Sequence, residues 1–428
     1  MHRRALLARA GAAAVGTLAV PALAFDAAAA AAAAAQGIPD AIQRLTPQPP
    51  GPTPISDDER LARIEKARRL MREHNIAALF LEPGSSMFYY TGVRWGLSER
   101  PFGVVIPAQG DLAYITPGFE EERARELIKF SNDVRVWQEH ESPYRLVAHI
   151  LRDRGIATGR VGIEERVRFF IADGIRAEAP QIEFVNATPV TAGCRMFKSP
   201  AELALMQRAN DITIAAYRAA FPTMRAGMTQ REMSQTIAAA IQKLGGASEG
   251  ALCLFGVSSA FPHGTTKPAA LKDGDIVLID GGCTVEGYAA DITRTTVFGK
   301  PTQRQRDVWD LERRAQDAAF AAAQVGATCE SVDAAARKVI TDAGFGPDYK
   351  VPGLPHRTGH GIGLDGHEWT NFVRGNTTPL QSGMCFSDEP TIVIYGEFGV
   401  RLEDCLYITD NGPKFFTQQS PAVDRPFA

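Results

Sequence analysis

A chain of 428 residues is long for one core, so two domains after any targeting segment are expected. Its 46 basic and 49 acidic residues leave a net charge of −3, which excludes the broad positive footprint of a nucleic-acid binder and favours small or peptide-like ligands. The six cysteines (194, 253, 283, 329, 385 and 405) lack C-x-x-C spacing, which argues against a zinc ribbon or redox motif and assigns no disulfide; for a chain that folds in the reducing cytoplasm before any export, buried free thiols are the expectation.

The N-terminus, "MHRRALLARAGAAAVGTLAVPALA", has a cationic start, a weakly apolar run from Ala10 to Val20, and small residues at Ala22 and Ala24. That pattern predicts an export signal. Arg3-Arg4 before Ala-Leu-Leu is similar to a twin-arginine signal, although Ala8 stands where a basic residue is usual. Residues 1–35 are therefore read as signal and polyalanine, leaving a periplasmic or secreted protein. The apolar run is too short and alanine-heavy for a stable membrane anchor. Residues 36–55, with "TPQPPGPTP", read as a Pro-rich arm that buries no core.

Order is expected from Ser56, where Ser56-x-x-Glu59 reads as a capping box opening a helix to about His74. Short apolar runs ("IAALFLE", "FGVVIP", "DLAYIT", "VRVW", "VGIE") then alternate with helical stretches at 119–129 and 143–154, the pattern of an α/β domain over 56–190. A second domain, 191–428, opens with Ser199 as cap, Pro200 at the first helical position and Glu202 closing the box. Thr229-x-x-Glu232 starts the next helix, which stops at Gly245-Gly246.

An internal repeat runs through this second domain. "RAGMTQREMSQTIAAAIQKLGG" (225–246) is echoed by "QVGATCESVDAAARKVITDAGF" (324–345) in its Gly, Thr and alanine-rich positions. "GDIVLID" places Asp280 six residues after Gly274, and "GMCFSDE" places Glu389 six after Gly383. Each acid is trailed by a second, Asp291 and Glu403. A duplicated helix-plus-sheet unit would bring four carboxylates together about a pseudo-twofold axis. Asp280 ends an apolar run, where an unpaired carboxylate is expensive and a cation is its economical partner. Joined by His360, the four acids would form a hard, oxygen-rich site for two divalent ions, suiting Mn²⁺ best, with Co²⁺ and Zn²⁺ as alternatives. Two ions roughly 3.5–4 Å apart can share a water, lower its pKa and hold it against a carbonyl.

The stretch "HRTGHGIGLDGHE" (356–368) also spells G-x-G-x-x-G through Gly361, Gly363 and Gly366. A dinucleotide loop would follow a buried strand and open a helix, but "PDYKVPGLPHRT" is a poor strand and Trp369 through Pro379 is no crossover helix. The glycines instead allow backbone to pass close to metals and substrate. Three histidines (356, 360 and 367) in this loop suggest groups that touch the reacting atoms.

The order "DGG…ADITRT…HRTGHGIGLDGHE…DEP…RLED", with "YYTGVRWGLSER", "FPHGT" and "CRMFKSPAEL", resembles the pita-bread (M24) metallopeptidases, the family of methionine aminopeptidase, aminopeptidase P and prolidase. The similarity runs from about Ser56 to the end and is greatest to bacterial Xaa-Pro dipeptidases. It implies an α/β (α+β) fold, with a pseudo-twofold pita-bread catalytic domain behind a smaller creatinase-like domain. It further implies Xaa-Pro hydrolysis of dipeptides or short peptides through a metal-bridging hydroxide, and a homodimer. Asp280 would ligate one ion, His360 and Glu389 the other, and Asp291 and Glu403 would bridge. Glu389 would also shuttle the proton, His263 line the substrate pocket, and His367 stabilise the oxyanion with His356 nearby. Arg401 would support the metal-bound carboxylates and Arg374 meet the proline carboxylate. Competing readings are a metal-independent creatinase-like or lyase-like enzyme and a non-enzymatic peptide-binding module. Both predict eroded ligands, and all five positions are filled.

Overall fold

Strand β1 (Ala78–Leu81) is apolar at every position because both its faces are covered. Leu79 and Leu81 pack with Ile64, Ala67 and Met71 of the helix Asp57–Glu73. Ala78 and Phe80 face Val147, Ile150 and Leu151 of the helix Pro143–Asp153 and Ile171 and Ile175 of the helix Phe169–Glu178. Around β1 lie β2 (Gly103–Pro107), β3 (Ala113–Pro117), β4 (Val134–Trp137), β5 (Gly159–Ile163) and β6 (Ile182–Asn186), in the order β4-β3-β2-β1-β5-β6. β1 pairs antiparallel with β2 and parallel with β5, giving the α/β domain read from the alternation of runs.

The computed structural model describes residues 37–49, 51–248 and 250–428, and those from 39 onward form one compact unit. The export signal expected over 1–35 lies outside the described residues. The reading of 36–55 as an arm without core is corrected: Asp40–Gln43 is a helical turn, Ile42 is fully buried, and Arg208 donates to Gln48 Oε1 and to the Pro49 carbonyl, both at 2.6 Å. Buried Ile42 and Ile55, with a guanidinium on one side-chain amide and one backbone carbonyl, hold a segment whose composition suggests none of this. Ser56 caps as expected, accepting from Glu59 N at 3.1 Å, but Glu59 turns its carboxylate to Arg63 and Ser199 at 2.7 Å each. The boundary near 190 falls inside a helix, Thr188–Arg195, whose Val190 and Cys194 pack into the first domain's core.

The second domain repeats one plan. In its first half the helices Pro200–Ala220 and Gln230–Leu244, each opened by the expected capping box, pack on a sheet of β7 (Leu252–Phe255), β8 (Ile276–Gly281) and, beyond the short hairpin β9–β10 (Thr284–Val285, Tyr288–Ala289), β11 (Ile292–Val297). In its second half the helices Gln303–Ala322 and Cys329–Asp342 pack on β12 (Gly359–Gly361), β13 (Glu368–Phe372), β14 (Cys385–Asp388), the hairpin β15–β16 (Thr391–Ile394, Phe398–Arg401), β17 (Asp404–Thr409) and β18 (Gly412–Phe415). The repeated segments fall on equivalent helices, Gln230–Leu244 and Cys329–Asp342. A two-way backbone bridge, Thr293 to Glu403, joins the halves where their acids stand. No helix among the described residues is long and apolar enough to cross a membrane.

Candidate active site

Register places the acids. Asp280 lies opposite Thr293 across β8 and β11, so Asp291, two residues before Thr293, reaches the same strand end once the chain has turned through β9–β10. Glu403 arrives through its bridge to Thr293. The Thr293 hydroxyl sits 3.0 Å from Asp280 Oδ1 and 2.7 Å from Glu403 Oε2, and accepts from Arg401 Nε at 3.1 Å. Arg401 also pairs with Asp280 through its Nη2.

The glycine loop joins two antiparallel strands, β12 and β13, with no helix after it, so it is not a dinucleotide loop. A Cβ on Gly359 would lie 2.1 Å from the Ser387 carbonyl, which is why this strand comes so close to β14. That approach lets the His360 amide donate to Ser387 Oγ at 3.0 Å. His360 Nδ1 lies 3.1 Å from the Gly361 carbonyl, so the proton sits on Nδ1 and the Nε2 lone pair is left free. Nε2 is 3.2 Å from Glu389 Oε1 and 3.9 Å from Asp291 Oδ2. Burial, then the neighbouring His367, holds this imidazole neutral with its pKa pushed down to about 3.

The result is three overlapping donor sets, each with ligand atoms within 4.8 Å of one another: Asp291, His360 and His367; His360, Glu389 and Glu403; and Asp280, Asp291 and Glu403. All five expected ligands are present, and Asp291, His360 and Glu403 each serve two sets. Burial and then Asp280 and Glu389 raise the Asp291 carboxyl well above its usual range; burial and then Asp291 and Glu389 do the same to Glu403. Glu389 is pushed up to about 7 by burial, with Arg401 opposing. Glu403 Oε1 is buried and has no hydrogen-bond partner. Four crowded acids with an orphaned oxygen and a ligand-ready imidazole fit bound divalent cations of hard, oxygen-preferring character.

The other expected residues divide. His367 is exposed on the cleft side, its ring 3.8 Å from that of His360, and Arg357 Nη2 lies 2.9 Å from its Nδ1. The guanidinium can only donate, so Nδ1 accepts and the imidazole proton rests on Nε2. His263 is exposed in the loop after β7, near enough to His356 and His367 to disfavour their protonation. His356 is brought close but turned away: Nδ1 lies 2.7 Å from the Arg357 carbonyl and Nε2 3.0 Å from Thr391 Oγ1, so both ring nitrogens are engaged by protein. Arg374 is not brought to the cluster; it pairs with Asp348 at 2.7 Å, both side chains more than half exposed. Sequence reading missed Thr293 and Arg357, although Arg357 stands between two of the singled-out histidines. The cysteines are all free and buried, as expected.

A cleft of about 320 Å³ opens beside His367, lined by Arg357 and Trp369 from the second domain and by Glu165, Arg166 and Thr188 from the first. Buried acids converging with histidines beside a cleft define a metal-dependent hydrolytic enzyme as the class of protein.

Residues 204–410 match the profile of metallopeptidase family M24, and 63–197 that of the creatinase/prolidase N-terminal domain. A peptidase of Schizosaccharomyces pombe is 37% identical over 83% of this chain and 81% of its own length. An Xaa-Pro dipeptidase of Lactobacillus helveticus is 32% identical over 83% of this chain and 96% of its own. The crystal structure of a dipeptidase from Mycobacterium ulcerans superposes with a TM-score of 0.80 at 31% identity, covering 88% of this chain and 100% of that one. That of a Thermococcus sibiricus prolidase gives 0.78 at 28%, covering 87% and 99%. The chain belongs to metallopeptidase family M24, with the pita-bread catalytic domain and creatinase-type first domain that its sequence resembles.

Proposed function

We propose that this enzyme hydrolyses the bond before proline in dipeptides or short peptides, with two divalent ions, manganese by donor hardness, held by Asp280, Asp291, His360, Glu389 and Glu403. The observation carrying the proposal is the convergence of these donors around an unpartnered, fully buried carboxylate oxygen of Glu403. Bound there, the ions would supply an activated water and polarise the scissile carbonyl. The chain's own groups do the rest. Glu389, whose carboxyl burial pushes up to about 7, is suited to take the proton of the attacking water and pass it to the leaving nitrogen. His367 donates its Nε2 proton to the oxygen on which charge develops, in the tautomer that Arg357 enforces. Phe261 and Tyr395, with rings 5.5 Å apart and 40% and 56% exposed, offer an apolar wall beside His263 for a proline ring. Arg401 holds Asp280 and Thr293 in place.

The relatives named Xaa-Pro dipeptidase and prolidase support a proline-directed substrate. The filled ligand set disfavours the metal-independent and merely binding alternatives. The same reading pairs two chains as a homodimer and, on the composition of residues 1–35 alone, places the mature enzyme in the periplasm. A hydrolysis panel of Ala-Pro, Met-Pro, Ala-Pro-Ala and Ala-Ala after metal reconstitution tests the proposal. Cleavage of the first two with Ala-Ala resistant is expected; equal cleavage of Ala-Ala would overturn the proline requirement, and the Ala-Pro-Ala rate separates dipeptidase from aminopeptidase preference.

A further inference from the structure

His367 rides on a short exposed turn, yet the residues around it are among the most tightly ion-paired in the protein. Glu368 Oε1 accepts from the amides of Leu364 and Asp365 at 2.9 and 3.2 Å, closing the turn on itself. Its other oxygen takes Lys198 Nζ at 2.9 Å, and Oε1 also pairs with Arg195; all three side chains are under 10% exposed. Asp365, two residues before His367, accepts from Ser85 Oγ at 2.6 Å and pairs with Arg166 at 2.8 Å and Arg195 at 2.5 Å. A Cβ on Gly363 would meet Lys198 Cε at 2.7 Å, so the turn is seated directly on the lysine stem. Every one of these partners comes from the first domain or from the segment leading out of it: Ser85 opens its helix Ser85–Thr91, Arg166 follows β5, Arg195 ends the helix Thr188–Arg195, and Lys198 precedes the Ser199 cap.

We infer that the first domain is a positioning element of the active site: Ser85, Arg166, Arg195 and Lys198 clamp the 364–368 turn and thereby fix His367 over the metal donors. The inference rests on the proposed role of His367 as donor to the developing oxyanion. A donor on an unclamped turn would find its geometry only part of the time, and a misplacement of about 1 Å in a reacting group costs on the order of 10²-fold in rate. Burial alone would push the Glu368 carboxyl up; Lys198 and Arg195 outweigh it and hold the group down at about 2, so the clamp stays charged across the working range of pH.

The test is a double-mutant cycle on the metal-loaded full-length enzyme. Asp365→Ala releases the turn from Ser85 and Arg166 and leaves Arg195 only its pairing with Glu368. It is expected to lower kcat by about 10–100-fold, with KM for Ala-Pro and metal content little changed, and Asp365→Asn should restore part of the loss. In a His367→Ala background the same Asp365→Ala change should cost less than about twofold, because the group it positions is gone. Arg166→Ala, at a side chain 56% exposed and tolerable to the fold, should show a smaller loss that also vanishes in that background. Equal losses in both backgrounds, or an unchanged kcat for Asp365→Ala, would overturn the clamp while leaving the role of His367 intact. An unchanged kcat for His367→Ala alone would remove that role, and the clamp with it.

Discussion

Replacing His360 by alanine is expected to remove metal and activity together. Its imidazole is 1% exposed and aimed, with the proton held on the far nitrogen by the Gly361 carbonyl, at the point where Glu389 and Asp291 converge. No other described side chain is within the same donor set in a position to replace that nitrogen except His367, which Arg357 holds from the other side. Losing a partner that merely orients a ligand lowers metal affinity by about 10–100-fold, and losing the ligand itself should exceed that. Bound metal counted on the purified variant, with circular dichroism to establish that it is folded, checks this. Full metal occupancy in a folded His360→Ala protein would remove His360 from the ligand set.

His367→Ala should separate the two properties. Its ring lies tilted against that of His360, centroids 3.8 Å apart, but projects to the cleft, and its Nε2 proton would meet charge that exists only in the transition state. Losing one such donor costs about 10²–10³ in kcat, or roughly 2.7–4 kcal/mol. Metal content and KM should change little. Because His367 also falls within one donor set with Asp291 and His360, metal stoichiometry is the deciding readout. Metal loss equal to that of His360→Ala would make His367 a ligand rather than a donor, and unchanged activity would remove it from the mechanism.

What could be read from the sequence, and what could not, follows from the range of the contacts. Asp280 and Asp291 are legible because a carboxylate closing the buried run "IVLID" and a second past a short Gly-rich return must meet across one antiparallel register. The repeat predicts Glu389 and Glu403 in the other half, since duplicated units present equivalent strand ends to one axis. The caps at Ser199 and Thr229 are local chemistry and appear as written. The helix Thr188–Arg195 crosses the expected domain boundary because Val190 and Cys194 find their core partners far back in the chain, which no local pattern records. Thr293 was invisible for a related reason: a threonine in a strand is ordinary until Asp280, Arg401 and Glu403 are brought to its hydroxyl. His356 and Arg374 show what sequence proximity leaves open. Sequence proximity to a reactive loop says nothing of direction, and one ring is spent on Thr391 and a backbone carbonyl while the other side chain lies on a surface aspartate. The arm around Ile42 teaches that Pro-rich composition excludes a core of its own but not docking onto another's.

The central claim is that Asp280, Asp291, His360, Glu389 and Glu403 hold two divalent ions on which hydrolysis depends. Elemental analysis of the purified enzyme, followed by exhaustive chelation and stepwise add-back of Mn²⁺ while Ala-Pro cleavage is measured, tests it most directly. The account predicts activity abolished at zero metal and restored in full only as occupancy approaches two ions per chain, with Glu403→Gln unable to reach it. Undiminished Ala-Pro cleavage by protein shown to be free of metal would contradict it.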